Sequence, residues 1–154
     1  MLGMDVKHEN DINGVIYYGL NLVDYGTNFS MYELIPSKHP EVVAKAAFES
    51  WCRWAGVPDI IVHDLGGEFS GEMTNLAERW HVDMKVGPTE APWQQAKIER
   101  HGAVLGDIAR LTVEEQAVDN LEEMKLVMYY AAMVNNRRVD GRGYSPRELA
   151  FGSA

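Results

Sequence analysis

The chain opens with strand-like stretches. Leu2 to Lys7 is the first, and Val15 to Asp24 and Phe29 to Ile35 follow, both rich in β-branched and aromatic side chains. Asn13-Gly14 before the second is a favoured tight-hairpin signal, so the three predicted strands meander antiparallel. The pattern then changes period. Glu41, Lys45, Glu49 and Arg53 form a polar stripe, and Val43, Ala47, Trp51 and Trp54 an apolar one. With Pro40 near its start and Gly56 after its end, this predicts an amphipathic helix of about four turns. Ile60 to His63 reads as a short buried strand and Gly71 to Trp80 as a short helix with Ser70 as its cap. Val82 to Val86 is one more strand, which Gly87-Pro88 ends by opening a loop to Trp93.

From about Gln94 the chain is predicted helical to about Gln116. Gly102 and Gly106 weaken that helix by roughly 1 kcal/mol each relative to alanine and allow a kink. Asp119, with Glu122 three residues on, suits the cap of a final helix to about Val139. The middle of that helix, Leu126 to Val134, is apolar around its whole circumference. It must therefore be covered on more than one side, by the sheet and by a second subunit.

Three carboxylates stand out against these elements. Asp5 lies in the opening strand, Asp64 directly follows the apolar run Ile60 to His63, and Glu99 lies on the long helix. A carboxylate at the end of a buried strand emerges at the sheet edge where ligand sites gather. Grouped there, such residues hold Mg²⁺ or Mn²⁺ through oxygen. That is the equipment of two-metal phosphoryl transfer.

A family resemblance enters on the residues around them. Val62-His63-Asp64-Leu65-Gly66-Gly67-Glu68-Phe69, and then Ala91-Pro92-Trp93-Gln94-Gln95-Ala96-Lys97-Ile98-Glu99-Arg100-His101-Gly102, resemble the catalytic core of retroviral and LTR-retrotransposon integrases. Gly143-Tyr144-Ser145-Pro146-Arg147-Glu148-Leu149-Ala150-Phe151-Gly152 looks like the usual end of that core, so the likeness spans nearly the whole chain. Thirty-four residues separate Asp64 from Glu99, one fewer than is common in the family. The resemblance implies an α/β, RNase H-like fold, a five-stranded mixed sheet with helices on both faces, over a single domain of residues 1–154. It implies DNA integration, with 3′-end processing and strand transfer of retroelement ends into target DNA. Asp5 would bridge two Mg²⁺ or Mn²⁺ ions, Asp64 would complete one site and Glu99 the other. It also implies a two-fold homodimer, or higher oligomer, through the final helix and the Glu41 to Trp54 helix. Gln95, one helical turn before Glu99, resembles the family's DNA-contacting loop residue. Trp93 is placed to stack on an unpaired base or to anchor the loop by packing, and Lys97 and Arg100 to meet phosphates or to solvate the helix.

Composition changes this picture in two ways. The lone Cys52 rules out an internal disulfide and suits a reducing nuclear or cytoplasmic setting. The five scattered histidines make no zinc-finger spacing, so the zinc-binding amino-terminal domain usual in the family is expected to be absent. No apolar run approaches the roughly 20 residues of a membrane span. The formal charge of −9, from 14 bases against 23 acids, opposes strong independent DNA affinity, which rests on cations displacing counterions. Relatives often place basic residues one and two helical turns after the equivalent of Glu99. Here those positions are Ala103 and Gly106.

Blander readings stand beside these. Asp11 and Asp24 compete with Asp5 but fit turns, Glu68 is a supporting or a solvated acid, and His63 and His101 suit packing or the surface. Two other functions compete: an inert or host-adopted integrase-like interaction module, which the acidity favours, and an RNase H-like nuclease that cuts without joining.

Overall fold

The computed structural model describes residues 1–64, 66–87 and 92–152. Its sheet has five strands, β1 (Leu2–Asn10), β2 (Ile16–Asp24), β3 (Ser30–Ile35), β4 (Ile60–His63) and β5 (Asp83–Val86), in the order β3-β2-β1-β4-β5. The first three pair antiparallel as expected, whereas β4 joins β1, and β5 joins β4, in parallel. Strand order makes β1 the centre. Because strand side chains alternate, Leu2, Met4 and Val6 enter one core, and Gly3, Asp5, Lys7 and Glu9 belong to the other face.

The first connection is longer than a tight hairpin. Asn10 pairs with Ile16, so residues 11–15 form the loop, with Gly14 at φ +81°. Asp11 organises it by accepting from the backbone N–H groups of Asn13 and Val15, both at 2.9 Å. Asp24 does the same for the next turn, accepting from the Thr27 N–H at 2.9 Å and its hydroxyl at 2.8 Å. Both competing aspartates are thus turn formers.

Helix α1 (Pro40–Ala47) continues through a π-helical turn (Phe48–Cys52) into a last turn at Arg53–Ala55. Val43, Ala47 and Trp51 are buried as the apolar stripe requires, but Trp54 is 44% exposed. The wider π turn rotates the residues beyond it out of a 3.6-residue phase. Trp54 instead meets the rings of Phe29, Trp51 and Phe151 at the surface. Helix α2 (Glu72–Arg79) is capped by Gly71 and not by Ser70, whose hydroxyl donates to the Gly67 carbonyl at 2.6 Å. These two helices cover the aliphatic face, where Met4, Leu20, Leu22, Val43 and Met73 lose essentially all contact with water. Burying one such side chain contributes about 1.5–3 kcal/mol.

The opposite face lies under helix α3 (Pro92–Gln116) and helix α4 (Leu121–Arg137). Helix α3 runs unbroken through both glycines and starts earlier than expected, so Trp93 belongs to its first turn. The loop expected from Gly87-Pro88 falls largely on residues 88–91, outside the described residues. The cap of α4 is Asn120, whose side chain accepts from the Glu123 N–H at 3.0 Å, one residue later than the expected Asp119. Of its apolar middle, Val127, Met128, Ala131 and Ala132 are buried, and Leu126, Tyr129, Tyr130 and Met133 remain exposed. A last helix, α5 (Pro146–Phe151), was not expected as an element. It carries a full capping box between Ser145 and Glu148. Among the described residues no helix is long and apolar enough to cross a membrane.

Candidate metal centre

The parallel pairing of β1 with β4 decides which carboxylates meet. Leu2 pairs with Ile61 and Gly3 with Val62. Two residues further along that register stand Asp5 and Asp64. Both follow the parity of Gly3 and Val62, which pack against Ile98 of α3. Asp64 leaves the strand there and fixes its carboxylate by accepting from the Gly66 N–H at 2.9 Å. Asp5 is only 6% exposed, and the Lys7 ammonium reaches its Oδ2 at 2.9 Å. Burial lifts the Asp5 carboxyl above its ordinary range and the nearby Asp64 charge pushes the same way, while Lys7 pulls it back. Two carboxylates crowded at a strand end, with a cation already drawn to one, form a donor set suited to a hard divalent ion.

Glu99, the third expected ligand, comes from a different element. It sits on α3 between Ile98 and Gly102, both of which touch β1, yet it is exposed. The Gln95 side-chain amide donates to its Oε1 at 3.5 Å, the outer limit of a hydrogen bond. Among the described residues no three His, Cys, Asp or Glu side chains gather closely enough to hold one ion.

The residues expected to touch DNA separate. Gln95 is buried, its side chain filling the space that a Cβ on Gly87 would take, and its Oε1 has no partner. Trp93 is 66% exposed and meets Tyr25 edge-on, with ring centroids 6.5 Å apart. Lys97 donates to the Tyr25 carbonyl at 3.0 Å and lies over that ring. Two residues on a helix differ by about 200°, so Lys97 and Glu99 point to opposite sides of α3. Arg100 shares the Lys97 side and lines a basin there with His101, Asn135 and Arg138. Burial pushes His101 down to about 4, so this ring is neutral near pH 7 and holds Asn135 Nδ2 at 2.9 Å from its Nε2. His63 packs on the Phe69 ring, and Glu68 lies 3.9 Å from the Lys38 ammonium.

Two residues beside the carboxylates escaped the sequence reading. Lys7 could have been found from its two-residue spacing to Asp5 on one strand. Asn21 could not. It is fully buried opposite Asp5 on β2, and neither its Oδ1 nor its Nδ2 has a hydrogen-bond partner.

No family model matches the chain, and no curated protein matches it in sequence. Solved structures do match. The HTLV-2 integrase catalytic core domain in complex with magnesium, in its trimeric form, superposes with a TM-score of 0.79 at 14% identity, over 96% of this chain and 93% of that one. The catalytic core domain of BIV integrase gives 0.75 at 19% identity, over 96% and 91%. The fold is that of a retroviral integrase catalytic core. A simian T-cell lymphotropic virus intasome, in complex with PP2A regulatory subunit B56 gamma, contains the same fold, with a TM-score of 0.81 at 13% identity over 97% of this chain and 53% of that one. In this integrase-core fold, the mixed sheet and its two helical layers agree with the architecture expected from the sequence.

Proposed function

We propose that this chain is a metal-dependent polynucleotidyl transferase of the integrase type, which processes 3′ ends of retroelement DNA and joins them to target DNA. The observation that carries the reading is the parallel pairing of β4 with the start of β1, a register that, carried two residues beyond Gly3 and Val62, brings Asp64 near Asp5 on the face covered by α3. The solved HTLV-2 core of the same fold is described in complex with magnesium, which supports a divalent ion here. Asp5 and Asp64 would hold one Mg²⁺ or Mn²⁺ ion, and Glu99 with Asp5 a second. Such ions, when bound, polarise phosphoryl oxygens and offset charge on attacking and leaving groups. The chain's own residues prepare the place. Burial keeps water from Asp5, the turn at Gly66 fixes Asp64, and Gln95 lies one helical turn before Glu99 with its amide 3.5 Å from the Glu99 Oε1. Trp93 and Arg100 are exposed for DNA, whereas Gln95 and Lys97 would have to leave present partners to reach it.

The same reading makes residues 1–154 a single catalytic domain that pairs two-fold through α4 and the helical segment from Pro40 to Ala55. The exposed Leu126, Tyr129, Tyr130 and Met133 support that surface, and the solved HTLV-2 core is described in dimeric as well as trimeric form.

One observation favours a second reading, an inert interaction module: among the described residues no three potential ligand side chains gather closely enough to hold one ion. Labelled branched and blunt oligonucleotides incubated with the protein and Mn²⁺ separate the two. Integrase chemistry predicts metal-dependent cleavage or joining that disappears in Asp64→Asn. Products that are absent with the unmodified protein, or unchanged in the variant, would overturn the proposal.

A further inference from the structure

Lys7 occupies an unusual position for a strand lysine. Its ammonium lies 2.9 Å from Asp5 Oδ2, yet about a third of its side chain is still exposed. Its stem crosses α3 at Gly102, where a Cβ would stand 2.6 Å from Lys7 Cε. Gly102 is therefore the slot that admits the lysine. Beyond it opens a groove of roughly 630 Å³ floored by Gly102, Ala103 and Gly106 and walled by Lys7, Glu9 and Asp107. That size suits a small ligand or one unit of a polymer. The groove's other strong base, Arg110, is engaged by Glu114 at 3.1 Å and Asp107 at 3.9 Å. Lys7, by contrast, pairs with the aspartate site itself.

Asn21 supplies an independent observation. A fully buried amide with two unsatisfied atoms is rare, because each forfeits its hydrogen bond to water. Its Nδ2 lies 3.6 Å from the place a Cβ on Gly102 would take, so it borders the Lys7 slot. Such unspent capacity is explained when the cluster has a second arrangement, in which Asp5 or an incoming ligand engages the amide.

We propose that Lys7 is a two-position cation: it neutralises Asp5 while the aspartate pair is empty, and grips a DNA phosphate in the Gly102–Gly106 groove once a divalent ion takes the pair. The proposal rests on the functional reading above. Two cations cannot share one carboxylate cheaply, since like charges a few ångströms apart repel strongly in a poorly solvated site. Metal binding to the DNA-free protein is therefore weakened by the tethered ammonium. A phosphate in the groove gives that ammonium a new partner and removes the competition. Metal and DNA then favour one another, reciprocally.

Mn²⁺ titration followed by electron paramagnetic resonance tests this without any turnover. Lys7→Gln should bind Mn²⁺ about tenfold tighter than the unmodified protein in the absence of DNA, and Lys7→Arg should bind as the unmodified protein does. A short duplex should tighten Mn²⁺ binding in the unmodified protein and in Lys7→Arg, and do so far less in Lys7→Gln. Lys7→Met removes the same charge and keeps a stem over Gly102, so it decides the matter if the glutamine variant folds poorly by circular dichroism. A lysine with only a structural role would lose affinity on removal. Equal or weaker Mn²⁺ binding in the folded charge-removed variants overturns the proposal while leaving the metal site standing. If Mn²⁺ binding is absent throughout, or is the same in Asp64→Asn, the aspartate-pair reading fails and takes the proposal with it.

Discussion

The two faces of β1 divide the molecule's work between alternate residues of one strand. Under α1 and α2, Leu2, Met4 and Val6 meet Leu20, Leu22 and Ile61 in a core without a charged member. Under α3, Gly3, Asp5, Lys7 and Glu9 face Asn21, Tyr32 and Gly102, and hold two buried acids, an ion pair and an unsatisfied amide. The first face carries stability. The second accepts desolvation that packing alone would avoid, which is the expected mark of a site whose geometry serves something other than folding.

Substitutions at adjacent positions sharpen that contrast. Asp5→Asn should lower any strand-transfer rate by at least about a hundredfold, because metal-held charge stabilisation amounts to several kcal/mol. The melting temperature should not fall, since the change removes a buried charge and keeps the shape. A large loss of stability, or retained metal-dependent activity, would place Asp5 in the structural class instead. Met4→Ala, one residue away, should cost about 2–5 kcal/mol in chemical denaturation through loss of buried methylenes and the cavity left behind. Its turnover per folded molecule should be nearly unchanged.

A smaller effect belongs to Glu9 at the far end of the same face. Burial raises its carboxyl above the ordinary range, against the opposing hydrogen bond from the Tyr32 hydroxyl at 2.5 Å. An acid raised in the folded state contributes stability that is fully present below its unfolded pKa and lost as pH rises through its folded value. Stability in urea should therefore decline from mildly acidic toward neutral pH, and Glu9→Gln should flatten part of that decline. An unchanged slope would mean that Glu9 is ionised without cost where it lies.

The sequence made most elements legible because their signals are local. Pro40, the hairpin turn residues and the capping pairs lie within a few positions of the boundaries they set, and errors there were small, as with Asn120 in place of Asp119 or Gly71 in place of Ser70. The π turn was not legible, since a stripe drawn at 3.6 residues per turn assumes that the period never changes, and Trp54 emerged on the wrong side. Ser145-Pro146 with Glu148 is a local helix-start signal of the same kind, and the structure shows the capping box it forms. At the site, Asp5 and Asp64 could be chosen from their strand contexts, but their adjacency depends on β1 pairing with β4, which periodicity cannot supply. The present contacts of Gln95 and Lys97 were illegible for a related reason. Their partners, Gly87 and Tyr25, come from other strands or strand ends, so the helix face alone did not show which side chains were already engaged.

The parallel β1–β4 pairing also sets an order of assembly. Strands β1, β2 and β3 can zip together by closing only short loops. β4 must return across the whole α1 region to reach β1, and the entropy of closing such a span makes non-local parallel pairing the slower event. Asp5 thus acquires Asp64 as a neighbour only once β4 has docked on β1. The neighbourhood of the two aspartates is therefore a late product of folding, absent from any partly folded chain that has formed only the β1–β3 meander.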